Sequence, residues 1–133
     1  MPISELKHVA REAFEVTGMC PGEISLVVCD DALISELNRE YRKKNRPTDV
    51  LSFSMRDVMS GDTSDPVLGD IIISVQTAEL QAREEGTTIE EEFKFLFTHG
   101  LLHLLGYTHD HRDDEELMMG LTNEILAGIK GNT

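Results

Sequence analysis

Cysteine is scarce in this chain: Cys20 and Cys29 are the whole supply in 133 residues. They form no Cys-x-x-Cys pair and stand far from the histidines near the C-terminal end. A disulfide framework and a thiolate-rich zinc site are both excluded, and two buried or half-buried thiols in a reducing compartment are expected. Cations are also few, 12 Lys and Arg against 25 Asp and Glu, for a net charge of -13. A surface of that sign does not bind nucleic acid indiscriminately. Long apolar runs are missing, so nothing spans a bilayer and no membrane partner is expected. The first residues, Met1-Pro2-Ile3-Ser4-Glu5-Leu6-Lys7, hold no apolar signal-peptide core. The expected location is the cytoplasm.

What remains is an ordinary globular composition, 40% apolar. The length suits one domain, residues 1–133, which buries roughly two thirds of its unfolded surface and needs no staple. Ser4 caps a helix to about Val16, stopped by Gly18 and Pro21-Gly22. Glu23 to Cys29 alternates and is rich in Ile and Val, which predicts a strand. Asp30 or Asp31 caps a second helix through Leu33, Ile34, Leu37 and Tyr41. Thr48 to Met55 predicts a second strand, 57–66 a loop, and Val67 to Val75 a strand buried on both faces. A short helix from Thr77 to about Glu85 follows. Thr88 and Glu91 then form a capping box for the longest, most apolar helix, which runs to Gly106. A last helix covers about Asp113 to Ala127. The order α-β-α-β-β-α-α-α predicts an α+β domain, with a small mixed sheet of three to four strands and about five helices.

The charge is uneven. Arg39-Glu40-Tyr41-Arg42-Lys43-Lys44-Asn45-Arg46 gathers five cations around one anion, which leaves seven cations against 24 anions elsewhere. Such an island suits a local phosphate contact. It equally suits a solvated helix end, where cations complement the dipole.

The most specific pattern is His99-Gly100-Leu101-Leu102-His103-Leu104-Leu105-Gly106-Tyr107-Thr108-His109. Histidines four apart on a helix share a face. A glycine three residues later can end the helix in a left-handed cap and turn the chain back, bringing a third imidazole to the first two. Three imidazoles leave a cation's fourth position open, the layout of a catalytic zinc site. The offsets match the zinc-protease frame His-Glu-x-x-His-x-x-Gly-x-x-His, so a zinc-protease-like three-histidine site is expected. Gly100 occupies the position of the protease's glutamate, so peptide hydrolysis by that route is not expected. His111 competes with His109 as third ligand, and the offset favours His109. His8 is expected on the exposed face of the first helix. Asp110, Asp113, Asp114 and Glu115 suit a helix's first turn, and are also the nearest carboxylates to the histidines.

The stretch from His99 to His109 resembles the signature of the bacterial YbeY proteins, single-strand-specific endoribonucleases of rRNA maturation and ribosome quality control. Asn38-Arg39-Glu40-Tyr41-Arg42, Pro47-Thr48-Asp49-Val50-Leu51-Ser52-Phe53 and Leu68-Gly69-Asp70-Ile71 are similar to that family's other blocks, in the same order. The resemblance implies a zinc ion on His99, His103 and His109, with other divalent metals able to replace it. It implies a catalytic role for Arg42, whose guanidinium would hold the scissile phosphate or balance transition-state charge. It favours the phosphate reading of the island, with Arg39, Lys43, Lys44 and Arg46 as backbone contacts. Asp70 is expected to be structural. Thr108 departs from the aspartate usual in the family, so either Asp110 substitutes for it or the activity is weaker.

The function expected is therefore metal-dependent endonucleolytic cleavage of single-stranded rRNA, including 16S 3′-end maturation. The partners expected are rRNA and ribosomal particles or assembly proteins, and not DNA. A metal hydrolase of another substrate class and a non-catalytic assembly factor are the alternatives.

Overall fold

The computed structural model describes residues 3–42, 50–55, 67–107 and 111–130. The elements are α1 (Ile3–Thr17), β1 (Glu23–Cys29), α2 (Asp31–Arg42), β2 (Val50–Ser54), β3 (Val67–Ser74), α3 (Val75–Glu85), α4 (Ile89–Leu104) and α5 (Arg112–Lys130). Five helices and three strands in this order are the expected α+β architecture. The predicted loop at 57–66 lies outside the described residues.

The sheet has the order β1-β3-β2, with β1 parallel and β2 antiparallel to β3. β3 is central, and its apolar run packs on both faces as expected. Ile71 and Ile73 join a large core with Val9 and Ala13 of α1, Leu101 and Leu102 of α4, and Met118 and Ile125 of α5. Ile72 faces the other way, onto Leu51 and Ile34. Full burial of each such aliphatic side chain contributes roughly 1.5–3 kcal/mol, so the large core outweighs the small one.

Local chemistry sets the boundaries. Asp30 is the cap of α2, its Oδ1 accepting from Leu33 N at 2.9 Å. Ser74 caps α3, which starts at Val75, two residues before the expected start, its Oγ accepting from Thr77 N at 3.3 Å. The Ser74 hydroxyl also donates to Asp31 Oδ1, as does the Thr77 hydroxyl at 2.7 Å. This carboxylate ties the start of α2 to the end of β3. α4 opens on the expected Thr88 cap, Thr88 Oγ1 accepting from Glu91 N at 3.1 Å.

Cys20 is exposed and Cys29 half-buried, both as thiols. Burial raises the Cys29 pKa above the ordinary thiol value, and the neighbouring Asp30 and Asp31 carboxylates push it the same way. Because the thiolate is the nucleophile, Cys29 alkylation by iodoacetamide is expected to keep rising with pH beyond the point where a solvated thiol levels off. A plateau at or below the ordinary thiol value would contradict this.

Candidate metal centre

α4 is the helix that builds the site. His99 and His103 stand one turn apart on it, both half-buried. Its C-terminal turn is a Schellman closure: Tyr107 N donates to Leu102 O at 3.0 Å and Gly106 N to His103 O at 3.0 Å. Gly106 takes φ 98°, the left-handed value the sequence demanded, although the regular helix ends earlier, at Leu104. The closure also aims a carbonyl at the site, since Tyr107 O lies 3.1 Å from His103 Nδ1. A carbonyl can only accept, so Nδ1 carries a proton, and in the neutral ring Nε2 is the basic nitrogen.

His99 is set from another helix. Its Nδ1 makes a long, 3.5 Å contact with Thr122 Oγ1 of α5. The Thr122 hydroxyl donates its own proton to Met118 O at 2.7 Å, so towards His99 it acts as acceptor. The same tautomer results, with Nε2 basic. Phe95, one turn earlier, lies against the His99 ring with centroids 4.5 Å apart and planes at 35°. Two imidazoles on one helix face, each with Nδ1 turned to an oxygen acceptor, are the arrangement in which histidine ligates a metal through Nε2.

Gly100 has a packing reason. A Cβ there would come within 2.9 Å of Ile71 Cγ2, 3.1 Å of Val50 Cγ2 and 3.2 Å of Ser52 Oγ. The Ser52 hydroxyl donates to Gly100 O at 2.9 Å, so α4 lies directly on β2 and β3 here. Position 100 therefore faces the sheet, and a glutamate would be driven into the core. Gly69 is a second close approach, its absent Cβ falling 2.3 Å from Phe53 O and 2.7 Å from Leu104 Cδ2.

His109, the expected third ligand, lies outside the described residues with Thr108 and Asp110. Among the described residues no three His, Cys, Asp or Glu side chains gather to hold an ion. The described His99 and His103 thus supply two of the three expected donors. Arg42 closes α2, but its side chain, with Lys43, Lys44 and Arg46, lies outside the described set. Arg39 is exposed on α2, and Asn38 of the same block is buried at 2% exposure. Asp70 is half-buried in β3 opposite Phe53 of β2. His111 is exposed, its carbonyl accepting from Glu115 N at the start of α5. Asp113, Asp114 and Glu115 form the first turn of α5. His8 is half-buried on α1, not exposed, because it lies next to Val9, which is completely buried.

Sequence reasoning missed Thr122 and the Tyr107 carbonyl. Thr122 is fully buried on the Met118, Ile125 and Ile129 stripe of α5. A lone threonine in an apolar stripe is the signal that could have found it, though not its partner 23 residues away.

An α+β domain with a His-x-x-x-His helix, closed by a left-handed glycine and with both Nδ1 atoms turned to oxygens, could hold a metal ion through the two Nε2 atoms. The comparisons narrow this class. The family model described as Endoribonuclease YbeY matches residues 3–130. The chain is 49% identical over 126 residues to the Endoribonuclease YbeY of Aquifex aeolicus, covering 94% of this chain and 82% of that protein. It is 49% identical over 112 residues to the Endoribonuclease YbeY of Heliobacterium modesticaldum, covering 78% of this chain and 68% of that protein. The solution structure of TM1509 from Thermotoga maritima matches with TM-score 0.62 and 26% identity, covering 97% of this chain and 86% of that one. This chain belongs to the endoribonuclease YbeY family.

Proposed function

We propose that this chain is an endoribonuclease of rRNA processing that cuts single-stranded RNA with a zinc ion held by His99, His103 and His109. Other divalent ions fit the same three imidazoles. The observation that carries the reading is the pair of Nδ1 contacts, to Thr122 Oγ1 and Tyr107 O, which present both described rings through Nε2. A cation bound there supplies an acidified water and polarises a phosphodiester oxygen.

The chain's own groups do the rest. The Nδ1 contacts hold both rings in orientation and leave Nε2 as the nitrogen free to ligate. Arg42, at the C-terminal end of α2, holds the scissile phosphate and offsets its growing charge. Arg39, Lys43, Lys44 and Arg46 carry the flanking backbone phosphates. With a net charge of -13, approach is confined to that basic end, which favours a flexible single strand over a rigid duplex. Gly100 leaves the protease carboxylate out, so peptide hydrolysis by that mechanism is not expected.

Among the described residues no helix is long and apolar enough to cross a membrane. The cytoplasm and its ribosomal particles or assembly proteins are the proposed setting and partners.

The test is cleavage of a single-stranded RNA by purified protein, alongside its metal content. Arg42→Ala is expected to lower cleavage roughly 100-fold, the usual cost of removing one transition-state donor, while keeping the metal. His99→Ala is expected to lose both. Equal residual cleavage in wild type and both variants would point to a contaminating nuclease and defeat the assignment.

A further inference from the structure

The two imidazoles of α4 are held with unequal firmness. His103 Nδ1 meets a backbone carbonyl at 3.1 Å, and that carbonyl is itself fixed by the Schellman turn. The contact from His99 Nδ1 to Thr122 Oγ1 is 3.5 Å long, at the outer limit of hydrogen-bond geometry. The outer torsion of a histidine has a broad well, so a contact that long leaves a wide arc of ring orientations open. A ligand that binds through Nε2 needs its ring plane set as well as its tautomer.

Phe95 narrows that arc. It stands four residues before His99 on α4, the spacing at which helical side chains meet. The ring centroids lie 4.5 Å apart with planes at 35°, in the range that aromatic pairs favour. Phe95 is itself held, being half-buried and packed on the large core. It also shares the wall of a cavity of about 220 Å³ with Leu126 and Ile129. Thr122, Leu126 and Ile129 recur at helical spacing, so they form one stripe of α5. That stripe addresses the imidazole twice: its hydroxyl at the ring's edge, and its apolar residues beside the phenyl group that covers the ring's face. A leucine at position 95 would fill the core but offer no flat surface to lie against.

We propose that Phe95 is a positioning residue for His99, its ring setting the plane in which Nε2 is presented to a metal ion. The proposal rests on His99 being a ligand, as put forward above.

The test uses the full chain with Phe95→Leu, Phe95→Met and Phe95→Tyr, each below the melting temperature found by far-UV circular dichroism. Zinc affinity is measured by competition with a chromophoric chelator. The leucine and methionine variants are expected to bind zinc about 3- to 10-fold more weakly, the span of an aromatic pair's contribution. Tyrosine, which keeps the ring, is expected to restore binding. The second readout needs no metal: 13C relaxation of the ring carbon–hydrogen bonds in the metal-free chain. Order parameters of the His99 ring should fall in the leucine and methionine variants and recover in tyrosine, while those of His103 hold. Wild-type zinc affinity in the leucine and methionine variants overturns the proposal, whatever their melting temperatures. So does an equal loosening of both imidazoles, which would make Phe95 a core residue and nothing more. A wild-type chain that takes up no zinc defeats the ligand reading itself, a failure visible before any variant is compared.

Discussion

His103→Ala is expected to lower single-stranded RNA cleavage by at least about 100-fold and to abolish stoichiometric zinc binding, while the fold survives. The expectation follows from the position of the ring. His103 is half-buried at the C-terminal end of α4, and its Nδ1 meets Tyr107 O at the Schellman turn. Alanine is the better helix former, and the turn's own bonds, Tyr107 N to Leu102 O and Gly106 N to His103 O, use only backbone. The helix therefore closes normally and the loss is chemical. Every tenfold in rate is 1.36 kcal/mol of barrier, and a metal ion supplies several kcal/mol of charge stabilisation, so two decades is a conservative figure. Thr122→Val makes a graded companion. It removes the acceptor at His99 Nδ1 but keeps the side chain's shape, and loss of such an orienting group costs about 10- to 100-fold in metal affinity. Competition with a chromophoric chelator measures that affinity without reference to RNA. Unchanged zinc affinity in Thr122→Val would remove α5 from the site, and full cleavage by His103→Ala would remove the metal reading altogether.

Gly100→Glu is the second large effect, and its direction separates two accounts of the histidine frame. The substitution completes the zinc-protease pattern His-Glu-x-x-His in sequence. If the frame were a protease that had lost its base, casein hydrolysis would appear. The packing predicts unfolding instead. Ile71, Val50 and Ser52 already crowd the space where the first side-chain carbon would go. Gly100→Ala alone is expected to cost roughly 1–3 kcal/mol through overpacking. A glutamate adds an unpaired carboxylate beside the fully buried Ile71, at a further cost of several kcal/mol. Domains of this size are held by only about 5–15 kcal/mol, so Gly100→Glu is expected to be recovered insoluble or without a cooperative melt. Gly100→Ala should remain folded, with its melting temperature lower by about 4–12 °C. A well-folded Gly100→Glu with wild-type melting temperature would show that position 100 does not face the sheet.

Much of α4 was legible beforehand because its signals are local. Thr88 and Glu91 mark its start and Gly106 its end, and a four-residue spacing fixes which histidines share a face. β3 was legible for the same reason, since the near-continuous apolar run from Val67 to Val75 needs cover on both sides. What escaped depends on contacts between distant parts of the chain. Gly100 is a glycine because of Val50, Ser52 and Ile71, none of which its own neighbours reveal. Thr122 orients His99 across two packed helices, and its own sequence neighbourhood suggests only core. Ser74 was absent from the helix reading because Val75 continues an apolar run, yet its hydroxyl, shared between Thr77 N and Asp31, starts the helix there. His8 follows the same rule: helical spacing put it outside, and neighbouring packing drew it half in.

The helix whose imidazoles are proposed to hold the ion is also the beam on which the domain is assembled, with Leu96, Leu101, Leu102 and Leu104 sealed beneath it. Loading and folding are thereby geared together. Whatever clasps the two rings also braces the central timber, so heat resistance becomes a gauge of occupancy that can be read with no substrate in the tube.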